Sequence, residues 1–406
     1  MNPSGGFYDL GIAPAILGIL NTLGFKIPTP IQEQSIPAAI EGKDLVGIAQ
    51  TGTGKTLAFG IPMIQFCLQH KGNGLVVLPT RELALQVHEV LHRIGQPLGI
   101  KIAVFIGGAP MGRQVSDLRR GVDVVIGTPG RIIDHLQQKT LSLRNVRMLV
   151  LDEADRMLDM GFAPQLKKIL REVPTERQTM LFSATMPPEI VGMTKTFMKL
   201  PTQIEVAPSG TTAENVTQEV FIVGREHKGA LLRKLLADYR GSVLVFTRTK
   251  FGAKKVARDV RNAGHAAAEI HSNRSLGQRR EALSGFKNRS YRVLVATDIA
   301  ARGIDVTGIE VVINYDLPGQ AEDYVHRIGR TGRAGASGHA ISFATPDQRN
   351  EIRMIERLMR KPLPLAKLPE SLPAPILIRP QVRARSFGHG QGGFRRSRFN
   401  RSSSSR

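Results

Sequence analysis

LVGIAQTGTGKT, residues Leu45–Thr56, is the stretch from which the rest of this sequence can be read. A short apolar run, Leu45–Ala49, enters a glycine-rich turn, and a helical pattern starts at Lys55. Glycine carries no side chain, so a strand–turn–helix of this composition lets backbone N–H groups approach phosphate oxygens. The new helix then points its positive end at the same oxygens. Thr51, Gly52, Thr53 and Gly54 make the cradle, Lys55 is expected to reach the β- and γ-phosphates, and Thr56 to hold Mg2+. Ala49 stands where the general pattern has its first glycine.

A second cluster, DEAD at Asp152–Asp155, follows another apolar run, Met148–Leu151. A carboxylate at the end of a neighbouring strand can coordinate Mg2+ through water, which assigns that role to Asp152. Glu153 is then placed to orient and deprotonate an attacking water. An acidic run alone is usually a solvated helix start, but the phosphate cradle upstream supplies this one with a partner.

Short β-branched runs alternate with helical patterns along most of the chain, which predicts an α/β protein with parallel sheets. The first series is Leu45–Ala49, Gly74–Leu78, Lys101–Ile106, Val122–Gly127, Met148–Asp152 and Thr179–Ser183. The second is Glu219–Val223, Val243–Thr247, Ala266–Ile270, Val293–Ala296, Val311–Asn314 and His339–Phe343. Two domains follow, 1–206 and 217–362, joined by a linker at 207–216 that contains APSGTTAEN. From 363 to 406 the chain turns Pro-rich and then Arg/Gly/Ser-rich, without an acid after Glu370, and is expected to form a disordered basic tail. Phenylalanines at 387, 394 and 399 would let that tail stack on bases.

Composition sets outer limits. A chain of 406 residues, 41% hydrophobic and 22% charged, suits two globular domains and a tail. A formal charge of +22 calls for a polyanionic partner, either nucleic acid or an anionic membrane surface. The single cysteine, Cys67, excludes an internal disulfide framework and is expected to be a buried small hydrophobe in a reducing compartment. The first ten residues lack the basic start of a signal peptide, and no apolar run reaches the roughly 18 residues of a membrane span. A cytoplasmic, monomeric protein is expected.

With both clusters in place, the chain resembles the DEAD-box ATP-dependent RNA helicases of superfamily 2, over roughly residues 7–360. The resemblance implies two tandem RecA-like domains, with ATP and Mg2+ as cofactors and RNA as partner. Gly24-Phe25 and PTPIQ, Pro28–Gln32, resemble the family's Q motif; the Gln32 amide can pair with adenine, and Phe25, with the more distant Phe7, can cover the base. Pro79–Leu83, Gly107-Gly108 and Thr128–Arg131 resemble the RNA-gripping motifs, which implies contacts from Thr80, Arg81, Gly108, Thr128 and Arg131. Read without the family, Arg81 and Arg131 could equally be surface salt-bridge formers. SAT, Ser183–Thr185, resembles the motif that couples nucleotide state to domain arrangement together with Asp155.

The second domain carries ATDIAARGID, Ala296–Asp305, and HRIGRTGR, His326–Arg333, which resemble motifs V and VI. They imply an RNA contact at Thr297, nucleotide or ribose contacts at Gly303 and Asp305, arginine fingers at Arg330 and Arg333, and a bridge from His326 to the DEAD carboxylates. HSNRSLGQR, His271–Arg279, departs from the commoner family form with Ser272 for Gly and Leu276 for Gln, resembles bacterial RhlE-like members, and keeps Arg279 as an implied RNA contact. The same motifs would serve an ATP-gated RNA clamp with little unwinding. Ribosome-assembly or RNA-decay proteins are the partners the resemblance suggests.

Overall fold

The computed structural model describes residues 6–50, 52–206, 216–301, 306, 308–332, 337–370 and 372. Among them are two seven-stranded sheets, every strand pair parallel. The first comprises β1 (Leu45–Ile48), β2 (Asn73–Val77), β3 (Ile102–Phe105), β4 (Val124–Gly127), β5 (Val146–Asp152), β6 (Gln178–Ser183) and β7 (Thr202–Glu205). Its spatial order is β3-β4-β2-β5-β6-β1-β7. The second comprises β8 (Val216–Ile222), β9 (Ser242–Phe246), β10 (Ala267–Ile270), β11 (Val293–Ala296), β12 (Ile309–Asn314), β13 (Gly338–Ala344) and β14 (Leu365–Ala366), in the order β10-β11-β9-β12-β13-β8-β14. These are two tandem RecA-like domains.

The continuous apolar runs are strands buried on both faces, as their composition predicts. In β5, Met148 and Val150 join one apolar cluster while Leu149 and Leu151 join the other. In β9 the same alternation sends Val243 and Val245 one way, Leu244 and Phe246 the other. Each such side chain removed from water contributes about 1.5–3 kcal/mol, so the sheets are the stable frame of each domain. Packing leaves little slack. A β-carbon on Gly47 of β1 would lie 2.6 Å from Phe182 Cε1, and Phe182 packs in turn on Phe59 at 5.6 Å between ring centroids. A side chain at 47 would force β6 and the loop beyond it to shift.

The structure shifts three expectations. One edge strand of each sheet, β7 and β14, was absent from the predicted series. Residue 216, assigned to the linker, begins β8, and residues 365–366, assigned to the tail, pair with β8, while Leu368 and Leu372 pack on the second core. Phe7 is 3% exposed within the first core, where it plugs the fold, whereas Phe25 is half-buried. Residues 207–215 and the tail beyond 372 lie outside the described residues. Cys67 is half-buried, its thiol pushed up to about 12 by burial and by nearby Asp123, which matches an inert hydrophobe. No described helix is long and apolar enough to cross a membrane.

Candidate functional site: a nucleotide cradle and an RNA track on one sheet edge

In open α/β sheets ligands bind beyond the carboxyl ends of the strands. Here that edge of the first sheet divides in two. The loops after β1, β5 and β6 carry the nucleotide motifs, and those after β2, β3 and β4 carry the expected RNA motifs.

Gly52 and Gly54 take left-handed φ angles of 92° and 95°, which turn the loop after β1 back on itself before the helix Lys55–Gln69 starts. A β-carbon on Gly54 would collide with the Gln32 amide. Lys55 is buried, donates to Ala49 O at 3.0 Å and lies 3.7 Å from Asp152 Oδ1. Thr53 Oγ1 donates to Gln50 O at 2.7 Å. Thr51 lies outside the described residues.

Gln32 was expected to face adenine. Its amide is instead used within the chain: Oε1 accepts from Thr29 N at 3.0 Å, and Nε2 donates to Gly54 O at 2.9 Å. The residue therefore joins the Q motif to the phosphate cradle, and base pairing would exchange one of these bonds.

The DEAD carboxylates have distinct settings. Burial pushes the Asp152 carboxyl up to about 6, with Lys55 opposing the shift. Burial also raises Glu153, but Arg156 and Lys55 outweigh it and hold that carboxyl at about 2. Arg156 Nη1 donates to Glu153 Oε2 at 2.7 Å, a buried contact that motif reading missed although the arginine directly follows the tetrapeptide. Glu153 itself has φ 52°, an uncommon conformation for a non-glycine residue, and it ends β5 abruptly. Asp155 is tied to the SAT segment: Oδ2 accepts from Ala184 N, Thr185 N and Thr185 Oγ1 at 2.9–3.1 Å, and its own N–H donates to Ser183 Oγ at 3.2 Å. These bonds join the DEAD box to the SAT segment within the first domain.

On the RNA half, the Arg81 guanidinium lies against Gly107 and Gly108; a β-carbon on Gly108 would come within 2.6 Å of it. Thr80 is buried and caps the helix Arg81–Gly95 by accepting from Leu83 N at 3.3 Å. Thr128 is buried at the start of the helix Pro129–Gln137, and Arg131 donates to Ala109 O at 3.1 Å. Beneath them runs a buried relay with no signature in sequence. His135 Nε2 meets Gln114 Oε1 at 2.9 Å, and Gln114 Nε2 donates to Ile106 O at 3.1 Å, beside the double glycine. Burial and Arg131 hold the His135 pKa below the usual imidazole value, which favours the neutral ring.

The second domain meets this edge. Arg279, expected on RNA, is 7% exposed and donates from Nη2 to Glu82 Oε2 of the first domain at 2.7 Å. Leu276, one turn earlier, packs on the first-domain core. This segment docks the domains together, and its arginine is spent on that contact. Burial raises the Glu82 carboxyl against the opposing pull of Arg279.

Arg156 lines a small cavity with His326, Arg327 and Arg330 of the second domain. Burial and then Arg156 push His326 down to about 4, with Asp155 opposing. Arg330 is buried and its charge acts on Glu153. Arg327 is the internal member of the trio: it forks onto Asp298, reaches Asn314 and lies 5.0 Å over Phe246. Asp298 was not singled out in sequence. Thr297 is half-buried after β11, while Gly303, Asp305 and Arg333 lie outside the described residues.

Residues 29–193 match the DEAD/DEAH box helicase family, and 227–335 match the helicase conserved C-terminal domain. The DEAD-box ATP-dependent RNA helicase CshA of Bacillus cereus is 44% identical over 87% of this chain and 68% of its own length. The ATP-dependent rRNA helicase RRP3 of Candida albicans is 42% identical over 88% and 68%. Among solved structures, S. cerevisiae Dbp5 bound to RNA and ADP BeF3 superposes with TM-score 0.81 at 28% identity, covering 89% of this chain and 96% of that one. A DEAD box protein from Methanococcus jannaschii is 38% identical, covers 89% and 99%, and superposes with TM-score 0.53. Kinship that runs through both domains leaves one assignment: the chain belongs to the DEAD-box family and is an ATP-dependent RNA helicase.

Proposed function

We propose that hydrolysis runs on a composite site, assembled when the second domain brings His326 and Arg330 against the DEAD box of the first. The observation that carries this reading is the shared cavity of Arg156, His326 and Arg330 beside Glu153.

In this reading Lys55 holds the β/γ-phosphates, Gln32 and Phe25 select adenine, Glu153 accepts the proton of the attacking water, and Arg330 with Arg333 stabilises charge on the transferred phosphoryl group. Gly303 and Asp305 complete the nucleotide side. Mg2+ fits the donors present. Asp152 is a buried carboxylate 3.7 Å from the Lys55 ammonium, beside the start of the helix that carries Thr56. Asp152, through water, and the Thr56 hydroxyl would therefore hold it with the phosphates supplying further oxygens. When bound, the ion would neutralise phosphate charge.

RNA lies across Arg81, Gly108, Thr128, Arg131 and Thr297 and is held by its backbone with little base readout. Asp155, Ser183 and Thr185 pass nucleotide state to the domain arrangement, so ATP and RNA each favour closure; that coupling is reciprocal. Local opening of short duplexes follows if closure bends the strand. A cytoplasmic monomer acting with ribosome-assembly or RNA-decay proteins is the setting we propose.

The test is RNA-stimulated ATP hydrolysis together with displacement of a short RNA duplex. Stimulated hydrolysis without displacement would make the chain an ATP-gated clamp. Equal stimulation by DNA would sink the RNA assignment.

A further inference from the structure

The helix Lys250–Asn262, after β9, buries Ala253, Val256, Ala257 and Val260 against its sheet. Its opposite face presents Phe251, Lys254, Lys255 and Arg258 at helical spacing, all exposed. Phe251 is 72% exposed, although a phenylalanine ring gains most by leaving water. Lys250 Nζ stands 5.4 Å from the ring centroid and donates to Asn273 Oδ1 at 3.1 Å. That bond ties the start of the helix to the loop after β10, the outermost strand of its sheet. The only acid of the helix, Asp259, is paired with Arg258 at 3.5 Å.

We propose that this face is a second contact for single-stranded RNA, with Phe251 as the platform for one base and Lys254, Lys255 and Arg258 as phosphate contacts. Its first turn is tied by Lys250 to the loop after the edge strand β10, at the carboxyl ends of the strands of its sheet. From Phe251 to Arg258 the stripe runs about 10 Å at 1.5 Å per residue, enough to follow a short length of backbone. An aromatic ring set among cations suits a single strand irrespective of sequence, because every base offers a face for stacking. A solvated lysine face would need no ring. The inference rests on RNA being the ligand of the catalytic edge and extends that ligand beyond it.

The test uses the full chain and oligouridylates of about 10 and about 40 nucleotides, bracketing a single-site and an extended footprint. Phe251→Ala and the double change Lys254→Glu/Lys255→Glu should raise the half-saturating concentration of the long RNA in the ATPase assay about 10-fold. The short RNA and the saturated rate should stay unchanged, and Phe251→Trp should behave as the unsubstituted chain. Each lost phosphate contact should flatten the slope of log affinity against log salt by about 0.7. Equal effects at both lengths would place Phe251 inside the catalytic track, and no effect at either would leave the face to solvent or to a protein; both results overturn the proposal. Failure of the helicase reading itself would look different, because the unsubstituted chain would then show no stimulation by either RNA.

Discussion

The two domains carry their strands in the same spatial order, so β1 and β8 hold the same place and each leads into a helix that begins on a lysine. Lys55 and Lys228 are both buried, and each faces a carboxylate at or just past the end of another strand, Asp152 at 3.7 Å and Asp316 at 3.0 Å. What separates them is the loop. Before Lys55 two glycines adopt left-handed angles and expose N–H groups; before Lys228, His227 has φ −98° and no residue of the described loop 223–227 has positive φ. The proton donors of Lys228 are also engaged, by Tyr315 O at 2.7 Å and by Asp316, and its ammonium lies 5.4 Å from the Tyr315 ring centroid. Leu317 follows Asp316, where Glu153 follows Asp152. A lysine and an aspartate in the right topological place therefore make a structural tie. They become a phosphate site only with a backbone cradle and a second carboxylate.

The sharpest way to break this comparison is Glu153→Gln, which keeps shape and removes the base. Turnover should fall about 10²–10⁴-fold while ATP and RNA still bind, so near-normal hydrolysis would reassign the base. Lys55→Ala should come next, weakening ATP about 10- to 100-fold through loss of a charge-assisted contact. Calorimetric titration with a non-hydrolysable ATP analogue would measure it. Gln32→Ala should narrow the preference for ATP over GTP several-fold and, because Nε2 holds Gly54 O, also raise the KM for both nucleotides. A change in selectivity with no change in the common KM would mean that the internal bond is idle. Lys228→Ala should leave ATP affinity untouched and cost about 1–3 kcal/mol of stability, seen as a lower melting temperature. If it weakened ATP instead, the two lysines would be more alike than their loops suggest.

Twelve of the fourteen strands were legible because doubly covered parallel strands are apolar along their length. The other two were not, since β7 buries a single residue of TQIE and β14 is two residues long. The glycine loop and the DEAD–SAT pair were legible because each is local or resembles a known pattern. Arg279 and Glu82 were not, being 197 residues apart and joined only by domain docking. Asp298 escaped for a similar reason: its partner Arg327 is more deeply buried than Arg330, the other described arginine of HRIGR, and nothing in spacing says which arginine turns inward.

The contact between Glu82 and Arg279 has a consequence for how the enzyme can let go. Two charges taken out of water forfeit hydration that their mutual attraction only partly returns, so a buried pair adds little net adhesion while tolerating almost no misalignment. Separation rehydrates both groups at once, and the Arg279 Nε that finds no acceptor when the domains are docked would regain one in water. Such a pair acts as a locating pin: it fixes the one register in which Leu276 seats and the two halves mesh, and leaves the energy of holding them together to ligands that are consumed or released each cycle.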